Sequence, residues 1–116
     1  MINRTLPLLL ALGLTACASD PAPIEQIRLT EQALAQTKSL GVVSQQSESL
    51  RQAEDKFAQA QVAMQDGENK QARLLAEQAE LDARLAEAEY LNGKGREQLT
   101  ELNHRIGRLR QQLGAM

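Results

Sequence analysis

The sequence predicts an all-α chain, an antiparallel helical hairpin or bundle of three to four helices. Three observations predict it. Ala, Leu, Gln, Glu and Arg dominate, and such side chains lose little freedom on a helix. Apolar residues recur at steps of three and four, the period of one helix face. Strand formers are scarce: Val42, Val43 and Val62 are the only valines, and no stretch alternates with period two. With 116 residues, no Trp, one Tyr and one Phe, the chain suffices for one small domain.

Residues 1–16 stand apart from that pattern. Arg4 precedes LPLLLALGLTA, an uncharged apolar run, the layout of a secretory signal peptide. The run is shorter than the roughly 20 residues that a membrane-spanning helix needs. It ends Leu14-Thr15-Ala16-Cys17, and Cys17 is the only cysteine, so no internal disulfide framework is expected. A branched apolar residue and two small ones before a lone cysteine resemble a bacterial lipobox. That resemblance implies cleavage before Cys17 and a diacylglyceryl thioether on its sulfur, which makes covalent lipid the expected modification. Several acyl chains give lasting membrane attachment, at about 0.8 kcal/mol per buried methylene. Ala18 follows where an aspartate would imply retention at the inner membrane. The expected location is therefore the outer membrane, with the body facing the periplasm.

Residues 17–23 read as the lipidated cysteine and a tether, since Pro21 and Pro23 resist helix. The helical domain is expected over 24–116. Its first helix covers about 24–40, with Ile24, Ile27, Leu34 and Ala35 as its apolar side. Gly41 ends it in a left-handed conformation, and Ser44 or Ser47 caps the next helix. That second helix covers about 47–65, with Leu50, Ala53, Phe57, Ala60 and Met64 on one face. Asp66-Gly67 stops it, and a short link makes its successor an antiparallel neighbour.

The third helix is expected over about 69–91, with two apolar stripes. Ala72, Ala76, Ala79, Ala83, Ala86 and Tyr90 share one direction; Leu74, Leu81, Leu85 and Ala88 share the opposite one. The alanine side allows close approach of a neighbour, and the leucine side needs a second partner. Asn92-Gly93-Lys94-Gly95 reads as a break. A fourth helix over about 96–113 then carries Leu99, Leu102, Ile106, Leu109 and Leu113 at steps of three and four. That face is either bundle core or a coiled-coil seam for another chain. Residues 74–93 hold five acids and one Arg, whereas 94–116 hold five bases and two acids. Arg105, Arg108 and Arg110 make the last segment a candidate contact for an anionic polymer such as peptidoglycan.

Catalytic chemistry is not expected. His104 is the only histidine, and it stands among polar residues, where a solvated surface role is the plain reading. Glu77, Glu80 and Asp82 read as solvated too. No cofactor is expected and no metal site, because only carboxylates are abundant. The net charge of −2 and the lack of aromatic residues after Gly95 argue against nucleic acid as a partner.

The segment ARLLAEQAELDARLAEAE at 72–89, with LTEQALAQTKSLG upstream and KFAQAQVAMQDGENKQAR between, resembles a proteobacterial family of small envelope lipoproteins labelled domain of unknown function 4398. The resemblance covers about residues 24–92. It implies an envelope location and a helical fold, and it supplies no catalytic residues. In that family the helical module is sometimes followed by a peptidoglycan-binding domain of the OmpA type, which is not expected within these 116 residues. The expectation is a non-enzymatic, lipid-anchored structural or adaptor module of the envelope. Its partner is another envelope protein or itself, and peptidoglycan binding through the last helix is the alternative.

Overall fold

A computed structural model describes residues 19–116, and every element it contains there is helical: α1 (Ile24–Ser39), α2 (Glu48–Gln65) and α3 (Asn69–Gly114). Ser19–Pro23 lead into α1 without regular secondary structure. Asn69 Nδ2 donates to the Asp20 carbonyl at 2.7 Å, so the tether is tied to the start of α3.

The two turns are built as their glycines require. Gly41 takes φ +94° after α1, and Gly67 takes φ +76° after α2. At the second turn the Glu68 N–H reaches the Ala63 carbonyl at 2.9 Å and the Gly67 N–H reaches Met64 at 3.2 Å. That pair of bonds is a Schellman motif, which satisfies carbonyls that the helix ladder leaves over. Ser47, not Ser44, caps α2: its hydroxyl accepts the Leu50 N–H at 3.1 Å.

α2 folds back antiparallel on α3, and α1 lies parallel to α3. Lys56 meets Asp82 and Ser49 meets Glu89 as α2 descends, whereas Gln26 meets Glu80 and Gln36 meets Glu87 as α1 ascends. α1 and α2 both pack on the alanine side of α3. Ala72, Ala76, Ala79, Ala83 and Ala86 are all buried. Leu34, Val42, Leu50 and Ala53 fill the core above the last of them, with Phe57 and Tyr90 packed at its edge.

Two expectations are corrected here. The buried side of α1 is Thr30, Ala33, Leu34 and Thr37, while Ile24 and Ala35 are exposed and Ile27 is half-buried. The alanine row lets the α1 backbone approach α3 so closely that a hydroxyl, not a bulky side chain, fits between them. Thr30 Oγ1 lies 2.9 Å from the carbonyls of Gln26 and Ala76. Thr37 Oγ1 lies 3.0 Å from those of Ala33 and Ala83.

The second correction is the break at 92–95, which does not occur. The described residues form three helices, and α3 runs 46 residues through Asn92, Gly93, Lys94 and Gly95. Two interior glycines cost about 1 kcal/mol each relative to Ala. A break would instead forfeit several ladder bonds and require a second nucleation, which is costly in itself. No proline stands nearby to force it.

Candidate functional site

The bundle face of α3 ends at Tyr90, where the α1–α2 loop closes over it; a Cβ on Gly41 would lie 3.6 Å from the Tyr90 hydroxyl. From Leu91 onward α3 has no helix beside it, and every residue except Gly95 is exposed. At 1.5 Å per residue this free part is about 36 Å long. Local bonds stiffen it. Lys94 reaches Glu97 at 3.1 Å and stands over the Tyr90 ring, and Thr100 Oγ1 donates to the Arg96 carbonyl.

Leu99, Leu102, Ile106, Leu109 and Leu113 lie on this free part, 39% to 71% exposed. They form one face and are no part of the bundle core. The second leucine stripe is bare as well: Leu74, Leu81 and Leu85 are about half exposed or more, and Ala88 is exposed. No described residue therefore covers either leucine run.

Of the three candidate polymer-contact arginines, Arg105 is bonded to Glu101 at 2.8 Å and Arg108 lies 3.9 Å from the same carboxylate. Arg110 lies two residues beyond Arg108. His104 is exposed beside them. Glu80 and Asp82 were expected in solvent, and instead they hold helices together. Asp82 pairs with Lys56 of α2 at 2.5 Å. Glu80 accepts Gln26 of α1 at 2.8 Å and Arg84 at 2.6 Å. The Arg84 bond, then the Gln26 bond, hold the Glu80 carboxyl below its ordinary value. Glu54 is held low in the same way by Lys38 and then Ser44. Glu77 is exposed. A signal for the paired acids was available: Glu80 and Asp82 flank the alanine row, where a charged side chain reaches across to a neighbouring helix.

No three His, Cys, Asp or Glu side chains among the described residues are placed to hold a metal ion. No described helix is long and apolar enough to cross a membrane. Leu14, Thr15, Ala16 and Cys17, the expected processing and lipid-attachment site, lie outside the described residues, as does Ala18.

A small three-helix unit whose third helix outruns the other two is the class this geometry defines. The chain belongs to the family described as Domain of unknown function (DUF4398), whose match spans residues 25–102. A crystal structure of a DUF4398 family protein from Pseudomonas aeruginosa is similar to it at 56% identity and a TM-score of 0.77, covering 81% of this chain and 97% of that one. No curated protein matches it. The family match carries no catalytic assignment.

Proposed function

We propose that this protein is a non-enzymatic, lipid-anchored module of the bacterial cell envelope that holds out a helix for docking. The observation that carries this reading is the leucine face from Leu99 to Leu113, which nothing in the described chain covers. An apolar face of that length at coiled-coil spacing is unusual on a helix that faces only water. The tether supports it. Asp20 is tied to Asn69 at the start of α3, so an anchor on Cys17 would sit at one end of the helix and the leucine face at the other. Along α3, at about 1.5 Å per residue, that face begins about 45 Å from Asn69 and ends about 66 Å from it. In this reading the body faces the periplasm from the outer membrane, and the bundle is a rigid base for the projecting segment.

Metabolic labelling with palmitate tests the anchor. Label is expected in the wild type and not in Cys17→Ser; equal incorporation into both removes it. A photo-crosslinker at Ile106 tests the docking face in cells. A discrete product that Leu102→Asp abolishes is expected. A product unaffected by that change, or one lost on replacing Arg105, Arg108 and Arg110 together with co-sedimentation on peptidoglycan, would favour the polymer instead.

A further inference from the structure

Because α3 is one helix, its two leucine runs share one register. Steps of four and three continue without a slip from Leu74 through Asn92 and Gly95 to Leu113. The alanine stripe on the other side behaves differently. Beyond Tyr90 its continuation is Gly93, Glu97, Thr100, His104, Gly107 and Gln111, so the bundle face stops where α1 and α2 stop. The leucine seam runs nearly the whole helix. A straight helix drifts about 20° per heptad against such a repeat, roughly 100° over five, and a left-handed supercoil with another helix keeps the seam covered.

The free part also needs cover on energetic grounds. Between Leu91 and Gly114 it contains Gly93, Gly95 and Gly107 and packs on nothing. Each glycine costs about 1 kcal/mol, while exposed pairs such as Arg105–Glu101 return only about 0.3–0.5 kcal/mol. The stretch has no packing of its own and is helical by propagation from the bundle.

We propose that the cover is a second copy of this chain, lying antiparallel along α3 and centred near Asn92 to Gly95. This names the occupant of the docking face inferred above and rests on that reading only for the face, not for the lipid. Charge selects the copy and its direction. The half from 74 to 93 carries five acids against one arginine, and the half from 94 to 116 carries five bases against two acids. Parallel copies would lay like on like; antiparallel copies lay acid on base. Size agrees. Antiparallel pairing sets Leu81 against Ile106 of the second copy, Leu85 against Leu102, Ala88 against Leu99 and Asn92 against Gly95. The small residues thereby face large ones or give a polar amide room to reach water. At the flanks Glu89 meets Arg96 of the second copy, twice by symmetry. Arg84 and Arg105 also approach, but each carries its own glutamate, Glu80 and Glu101. α1 and α2 occupy the alanine side of α3, so they leave the seam open to the second copy.

Cysteine crosslinking of the full chain in mild detergent tests both pairing and direction, with Cys17→Ser removing the native thiol. Leu85→Cys and Leu102→Cys are prepared separately and mixed. The mixture is expected to give an interchain disulfide under mild oxidation, and neither variant alone, because equal positions lie about 25 Å apart along antiparallel helices. Disulfide formation by each variant alone overturns the direction. A monomer by sedimentation at tens of micromolar, without Leu102→Asp or Leu109→Asp making any difference, overturns the pairing. That monomer would leave palmitate labelling untouched, and loss of labelling would leave the crosslinks untouched, so the two readings fail separately.

Discussion

Thr30 and Thr37 sit a heptad apart on α1, fully buried, and each hydroxyl meets a carbonyl of α3 46 residues away. A methyl group cannot approach an oxygen to 3.0 Å, so Thr37→Val must both lose the bond and push α1 outward. The expected cost is roughly 1–2 kcal/mol. At about 4–8 °C per kcal/mol for a domain of this size, thermal unfolding followed by circular dichroism will show it; an unchanged midpoint would mean that the hydroxyl is not part of the α1–α3 contact. Glu54 and Glu80 supply a second residue-scale expectation. Both are held below the ordinary value of 4.5, Glu54 by Lys38 and then Ser44, Glu80 by Arg84 of its own helix and then by Gln26 of α1. The unfolded chain therefore takes up protons first. Their stabilisation is complete above 4.5 and is lost as pH falls through the lowered folded values. The melting temperature should drop below pH 4.5, and Glu80→Gln should shrink that drop while lowering stability at pH 7. At this scale the sequence misled in one direction: an apolar pattern picked out Ile24 and Ala35, whereas a row of alanines selects small polar hydroxyls to face it. Glu80 and Asp82 were missed for a related reason, because a charge beside a tightly packed stripe can reach across it.

The elements were more legible than the residues that join them. The bounds of α1 and α2, the glycine turns at Gly41 and Gly67 and the alanine stripe all follow from spacing and capping chemistry. Glycine carried two opposite meanings, and only φ separates them. Gly67 is left-handed, while Gly93 is helical with nothing within 4 Å of where a Cβ would stand. Gly93→Ala should therefore stabilise the helix by about 1 kcal/mol, and Gly67→Ala should destabilise by about 1–2 kcal/mol. Helical ellipticity and the urea midpoint measure both. A loss of helix in Gly93→Ala would restore a turn at 92–95. Local turn propensity failed there because a dipeptide's preference for a turn is outweighed by the ladder on either side of it, and no short window registers that.

At the scale of the whole molecule the chain divides into a closed part and an open one. The closed part ends at Tyr90; its core, ion pairs and turns lie within residues 19–90. The open part carries apolar side chains that no described residue covers. A chain ending at Leu91 keeps all of the first and loses the run from Leu99 to Leu113, so Leu74, Leu81 and Leu85 are left without the residues they would face in a second copy. This shortened chain should unfold in one cooperative transition whose midpoint is independent of protein concentration. The full chain should behave differently, because association stabilises whatever state associates: its midpoint should rise with concentration. Salt separates charge from apolar contact in the same experiment. Screening weakens the attraction between acidic and basic halves, so the concentration dependence of the full chain should diminish as salt is raised, while the shortened chain shows none to lose. Failure of the shortened chain to unfold cooperatively would mean that the bundle leans on the distal helix, and a full chain indifferent to concentration would mean that the leucine seam stands empty in solution.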